Sequence, residues 1–475
     1  MQDAEKVKRF FREICSIPHA SYDEKHIGDY ILAFALERGL ECYRDKYGNI
    51  LIKKPATAEN CTAPAVIIQG HMDMVYLRDP DCHYDYEDGI KLIEKDGFFT
   101  AVGTTLGADD GIAIAYGLAL LDSDDIVHPD LEFVFTVEEE VGLDGAANFD
   151  YSALKGKYLI NIDSEEEGVF VTSCAGAVRN ELSLPTNREK IKDVQRLTVR
   201  LYGLAGGHSG MDINLGRPNA INLMMRLILS LGGTVSIYSI DCEGKTNAIA
   251  SDCTAVLYID PDMLDKTRRR IEKAVNEFNE EFDGIDSIKL GVIEGEVENA
   301  RCWSKDSHRS ALSSLILIPN GVITMSSDIP GLVETSANPG IVKQEEDRII
   351  VSSCIRSSVG EHRKYILDKL ESVANMSLGD SVCGNEYPQW EYSKDSKLRE
   401  LAMESYRELF GEEAEASAIH AGLECGFFAE RMPGIDIISL GPDQFDVHTT
   451  REKVGISSLE RVWQLLQRLL EKLCK

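Results

Sequence analysis

Three apolar runs in the first third of the chain end directly in side chains that bind metals or move protons. No other feature constrains the fold as much. Residues 65–69 lead into Gly70-His71-Met72-Asp73, residues 131–137 into Glu138-Glu139-Glu140, and residues 157–162 into Asp163-Ser164-Glu165. A fourth acidic pair, Asp109-Asp110-Gly111, opens the apolar stretch 112–121, which reads as a helix. Leu131, Phe133, Val134, Phe135 and Val137 spell a buried strand. Strands alternating with helices predict an α/β fold with a largely parallel sheet covered on both faces. In such sheets ligands gather beyond the carboxyl ends of the strands. The Glu triplet is expected on extended backbone, where neighbouring side chains face opposite ways. One Glu can then hold a metal while the next handles a proton. Alone, the triplet would better suit a solvated acidic turn; the other strand ends favour a reactive centre.

The pattern changes near residue 180. A strand over 197–203 runs into Gly206-Gly207-His208-Ser209-Gly210, followed by a helix over 218–231, strands near 235–240 and 253–260, and a helix over 264–282. A similar order recurs, with a helix near 307–318, a turn at Asn320-Gly321, strands near 332–337 and 349–356, and a helix over 360–373. Each round carries a small polar segment, Thr246-Asn247-Ala248 in one and Thr335-Ser336-Ala337-Asn338 in the other. A chain of 475 residues is too long for one ordinary core. We therefore expect residues 181–387 to form an inserted α/β domain of two similar units. The flanking parts, 1–180 and 388–475, would make up the other domain. The second part includes a helix near 394–409, His420-Ala421-Gly422-Leu423-Glu424-Cys425, a strand over 435–440, His448, and a closing amphipathic helix from 457.

Charge excludes some partners. Fifty Lys and Arg stand against 80 Asp and Glu, a formal charge of −30. Nucleic acids and anionic membranes require clustered positive charge, so neither is an expected partner. The N-terminus lacks the apolar core of a signal peptide, and no run approaches a membrane-spanning length. Twelve Cys residues are scattered without a Cys-x-x-Cys pair. They are expected to be reduced thiols of a cytoplasmic protein, with no disulfide framework.

Two divalent cations side by side need a bridging carboxylate and terminal His, Asp or Glu ligands. His71, Asp109, Glu140, Asp163 and His448 offer such a set, each at a predicted strand end, a helix start or a loop. Mixed nitrogen and oxygen donors suit zinc, manganese or cobalt better than calcium.

Gly70-His71-Met72-Asp73, Gly107-Ala108-Asp109-Asp110-Gly111, Glu138-Glu139-Glu140-Val141-Gly142, Asn161-Ile162-Asp163-Ser164, Gly207-His208-Ser209-Gly210 and His448-Thr449 resemble the motifs of the co-catalytic di-zinc peptidases. That superfamily includes aminoacylase and glutamate carboxypeptidase. Three longer stretches, around Asp109, His208 and His420-Ala421-Gly422-Leu423-Glu424-Cys425-Gly426, are similar to one branch, the bacterial aminoacyl-histidine dipeptidases or cytosolic non-specific dipeptidases. The resemblance spans essentially the whole chain. It departs at Asp110, where Asn is expected.

The resemblance implies a three-layer zinc-peptidase catalytic domain with an inserted lid domain. It implies two divalent ions, zinc most readily, with manganese or cobalt as options. Asp109 would bridge them, His71 and Asp163 complete one, and Glu140 and His448 complete the other. Asp73 would orient His71. Glu139 would be the general base, taking a proton from a water shared by the metals. His208 would stabilise the oxyanion, from its own subunit or from a partner's. Arg356 would bind the substrate carboxylate, with Asn247 and Gly422 assisting. A cis peptide after Asp109 is also implied. The reaction would be hydrolysis of dipeptides with a free N-terminus, Xaa-His dipeptides of the carnosine kind among them. Two rival readings are an N-acyl amino acid deacylase and a non-catalytic peptide-binding protein. Monomer and homodimer are both open.

Overall fold

The computed structural model describes residues 4–57 and 61–474. The chain divides into two compact units. The first comprises residues 1–174, 390–418 and 423–475, and the second residues 175–389 and 419–422.

The first unit is built on an eight-stranded sheet. Its order is Glu41–Arg44, Ile50–Lys54, Leu131–Thr136, Val66–His71, Tyr158–Asn161, Asp436–Ser439, Val169–Cys174, Glu415–Ile419. The four strands from Leu131–Thr136 to Asp436–Ser439 run parallel, with Val66 opposite both Leu131 and Tyr158. Their carboxyl ends therefore share one edge. Leu131–Thr136 and Val66–His71 are buried at every position, as expected for strands covered on both faces. The helix Ala108–Leu121 is buried on nearly every side, which its apolar sequence from Gly111 onward demands. Phe11, Ile114, Phe135 and Trp463 belong to one continuous core joining helices and sheet. A small antiparallel sheet pairs Gln444–Phe445, Lys453–Gly455, Phe98–Ala101 and Leu92–Lys95, and so holds both ends of the His448 loop.

The second unit contains two main antiparallel sheets, beside a short pair formed by Arg188–Lys190 and Arg301–Trp303. In the smaller, Gln195–Tyr202, Ser236–Asp241, Cys253–Ile259 and Lys289–Gly295 are joined through helices Ala220–Leu231 and Leu264–Glu281. The connection is strand, helix, two strands, helix, strand, with the third strand beside the first and the fourth on the first's other side. This is the ferredoxin-like arrangement. The larger sheet repeats it with Gly176–Pro185, helix Lys305–Leu317, strands Val333–Gln344 and Arg348–Ser357, helix Gly360–Met376 and Asp380–Tyr387, adding Gly321–Met325 at its edge. The repeats are nested rather than consecutive. Gly176–Pro185 opens the second repeat yet precedes the whole of the first, so the unit starts at residue 175 rather than 181.

Cys61 and Cys474 form a disulfide with Cα atoms 5.2 Å apart. This departs from the expectation that every thiol is reduced. The other ten cysteines are free, most of them buried. No helix among the described residues is long and apolar enough to cross a membrane.

Candidate metal centre and substrate residues

The shared edge of the parallel strands gathers the candidate ligands. Asp109 lies between two imidazoles, with Oδ1 3.0 Å from His71 Nε2 and Oδ2 3.2 Å from His448 Nε2. Glu140 Oε1 is 2.7 Å from His448 Nε2, and Asp163 Oδ1 is 3.7 Å from His71 Nε2. Donor atoms of His71, Asp109 and Glu140 all lie within 4.8 Å of one another, as do those of His71, Asp110 and Asp163. Five residues from distant parts of the chain thus surround one small volume.

Local structure explains how each arrives. His71 is the last residue of its strand, and its backbone N–H donates to Asp110 Oδ2 at 3.2 Å. Gly70 has no substitute there, because a Cβ would come within 2.4 Å of both Ala113 Cβ and Asp110 Oδ2. The Asp109–Asp110 peptide bond is cis. Ahead of it, Glu452 accepts the N–H groups of Leu106, Gly107 and Ala108 at 2.8, 3.2 and 2.8 Å, fixing the loop that delivers Asp109. His448 has φ +61°, a left-handed conformation uncommon for a residue with a Cβ and often found where function fixes the backbone.

The Glu triplet is not extended. The strand ends at Thr136, Glu138 takes φ +55°, and Glu139 and Glu140 lie in a turn. The N–H groups of Gly142 and Leu143 both donate to the Glu139 carbonyl, at 3.1 and 2.9 Å. Asp73 holds this turn. Its carboxylate accepts the N–H of Glu139 at 3.0 Å and of Glu140 at 3.2 Å, and the Ser21 hydroxyl at 2.8 Å. His71 Nδ1 lies 2.9 Å from the Asp73 carbonyl oxygen and 3.4 Å from its carboxylate. Asp73 therefore orients both the imidazole and the glutamates, whereas the sequence suggested the imidazole alone.

The electrostatics are those of a site short of positive charge. Burial opposes protonation of His71, yet Asp109, Asp163 and Asp73 raise its pKa well above the usual value. Asp109 and Glu140 push His448 up to about 11. Burial raises Asp163 to about 6 and Glu139 well above an ordinary carboxyl. The clustered carboxylates favour positive charge on their neighbours, and the nitrogen and oxygen donors fit a pair of divalent ions.

The second unit gathers other candidates. His208 Nδ1 accepts the N–H of Met211 at 3.1 Å and of Gly210 at 3.3 Å. Burial and then the Arg356 charge lower its pKa. The ring is therefore neutral with its proton on Nε2, a free donor. Arg356 is buried, donates to the Tyr387 hydroxyl at 2.7 Å, and leaves Nε without a partner. Gly422 packs so close to Tyr387 that a Cβ would meet the ring at 2.5 Å. Asn247 is exposed, and its carbonyl accepts the Ser209 N–H at 2.8 Å. His420, which the sequence did not single out, places Nε2 2.7 Å from Ser336 Oγ. Burial and Arg356 push it down to about 3.

Residues 67–472 match Peptidase family M20/M25/M40. The chain is 35% identical to the cytosol non-specific dipeptidase of Escherichia coli (strain K12), over 98% of this chain and 96% of that one. The chain belongs to this peptidase family. Its structure superposes on the aminoacylhistidine dipeptidase from Vibrio alginolyticus with a TM-score of 0.91, at 34% identity over 98% and 96% of the two chains. A tripeptidase from Staphylococcus aureus shares the fold at 18% identity, with a TM-score of 0.60. The family resemblance and α/β fold class expected from the sequence both hold.

Proposed function

We propose that this chain is a metal-dependent dipeptidase acting on dipeptides with a free N-terminus, Xaa-His dipeptides among them. The observation that carries the reading is the Asp109 carboxylate held between His71 and His448, with Glu139 beside them and Asp73 gripping the Glu139–Glu140 turn. The E. coli and Vibrio relatives, both named dipeptidases, support the substrate class. Asp109 would be shared by two divalent ions, zinc being the best fit, with His71 and Asp163 holding one and Glu140 and His448 the other. When bound, the ions supply Lewis acidity, which acidifies water and polarises the scissile carbonyl.

The residues then divide the work. Glu139 accepts the proton of the attacking water and returns it to the leaving amine. Its buried carboxyl, already biased toward holding a proton, suits that task. Asp73 keeps the base and the His71 ring in place. His208 donates its Nε2–H to the oxygen that gains charge. Arg356, seated by Tyr387, pairs with the substrate carboxylate, and Asn247 and Gly422 line the same end. The second unit serves as the lid, and the enzyme works in the cytoplasm.

Hydrolysis of Ala-His, compared with N-acetyl-His and repeated with a chelator, tests the reading. Rapid cleavage of Ala-His that stops on metal removal is expected. Preferential cleavage of N-acetyl-His would make the enzyme a deacylase, and no cleavage of either would leave a binding protein.

A further inference from the structure

Beneath the metal centre lies a second polar construction that the reaction scheme does not use. Glu424 is fully buried. Its Oε2 accepts two hydrogen bonds, from Thr136 Oγ1 at 2.6 Å and from Gln69 Nε2 at 2.5 Å. Gln69 Oε1 accepts in turn from Asn161 Nδ2 at 2.6 Å. Gln69, Thr136 and Asn161 are themselves completely buried. They sit on three neighbouring parallel strands, with Gln69 opposite Asn161 and His71 opposite Thr136.

Position makes the network informative. Gln69 is two residues before His71, Thr136 three before Glu139 and four before Glu140, and Asn161 two before Asp163. Each strand that leads to a ligand of the centre is thus tied, at or near its carboxyl end, to one chain of hydrogen bonds. The donors all point one way, Asn161 to Gln69 to Glu424, and Thr136 joins at the same oxygen. Apolar residues of similar volume would fill this layer at least as stably, because burying a carboxylate is unfavourable. Here Glu424 Oε1 and Asn161 Oδ1 remain without partners. A network kept despite that penalty, in register under three ligands, points to positioning. Burial also raises the Glu424 pKa to about 7, so its carboxyl is not an ordinary surface acid.

We propose that Glu424 is a positioning residue for the metal centre, fixing through Thr136, Gln69 and Asn161 the strand ends that present His71, Glu139–Glu140 and Asp163. Among the described residues its side chain hydrogen-bonds to Thr136 and Gln69 and to none of the proposed metal ligands. The inference deepens the metallopeptidase reading and rests on it.

The test measures metal binding rather than turnover alone. Glu424→Leu and Glu424→Gln are prepared metal-free in the full chain, and titrated with zinc against a chromophoric chelator. Parallel samples are loaded with cobalt(II) for absorption spectra. Partners that orient metal ligands from behind are worth roughly 10- to 100-fold in affinity, so Glu424→Leu should lose that much and shift the cobalt spectrum. Glu424→Gln keeps an acceptor for both donors and should recover most of the affinity and the wild-type spectrum. Thr136→Val and Asn161→Leu attack the same network from other strands and decide the matter if Glu424→Leu fails to fold. Both should weaken zinc binding in the same direction. Wild-type affinity and spectrum in the folded Glu424→Leu variant, or in both alternatives, would overturn the proposal. So would a Glu424→Gln variant as impaired as Glu424→Leu. If the wild-type protein itself bound no zinc, the metallopeptidase reading would fail instead.

Discussion

The two units treat their histidines in opposite ways. In the first, His71 and His448 are surrounded by Asp109, Glu140, Asp163 and Asp73 and hold protons far above the ordinary imidazole range. In the second, His208 and His420 sit near Arg356 and are kept neutral, His420 down to about 3. The same side chain thus reports opposite fields. The first region is arranged to receive cations. The second carries the buried guanidinium and neutral rings proposed above to meet the substrate's carboxylate and carbonyl oxygen. A peptidase acting on short free peptides needs both.

Point substitutions on each side separate the two fields. The largest effect belongs to the paired glutamates. Glu139→Gln should keep both metals while kcat falls roughly two to four orders of magnitude, as for loss of a general base. Glu140→Gln should lose metal from one site. Metal analysis beside single-turnover kinetics separates them, and a metal-depleted Glu139→Gln enzyme would reverse the assigned roles. Next comes His208. His208→Ala should lower kcat about 100- to 1,000-fold with metal content unchanged, the usual effect of removing an oxyanion donor; an unchanged kcat would leave the ring without that task.

Arg356→Ala should act on binding instead. A charge-assisted hydrogen bond is worth about 1.5–3 kcal/mol, so KM for dipeptides should rise roughly 10- to 100-fold. A dipeptide amide, lacking the carboxylate, should be cleaved equally well by both enzymes. The smallest effect concerns pH. The folded-state pKa of His420 lies below its unfolded value, so its contribution to stability is present above pH 6.5 and is lost as pH falls. At pH 5 this loss is about 2 kcal/mol. Denaturant unfolding of the wild-type protein and of His420→Asn at pH 8 and pH 5 should show a smaller drop in the variant. Equal drops would mean that Arg356 and burial do not hold the ring neutral.

Three candidate ligands, His71, Glu140 and Asp163, stood out because each follows a strand-like apolar run that switches to ionisable residues, and a sheet edge converges such positions; Asp109 instead opens a helix and His448 lies in a polar loop. The turn at Glu139–Glu140 was not legible. It depends on Glu138 adopting positive φ and on Asp73, sixty-six residues away, accepting two backbone N–H groups. The opening strand of the second repeat was missed for a related reason. Gly176–Pro185 pairs with Arg348–Ser357 across the entire first repeat, and local periodicity carries no trace of such nesting. Glu424 and Glu452 meet their partners over separations of 355 and 346 residues, so even the short stretch around Glu424 does not reveal what it bonds to. The Cys61–Cys474 pair is similarly remote, joining residues 413 apart.

The central claim is that five side chains from the first unit hold two cations around Asp109. Anomalous diffraction from crystals of the zinc-loaded protein, recorded on both sides of the zinc edge, addresses it directly. Two peaks about 3.5–4 Å apart are expected, flanking Asp109, one reached by His71 and Asp163 and the other by Glu140 and His448. A single peak, or a pair in which Asp109 touches neither ion, would contradict it.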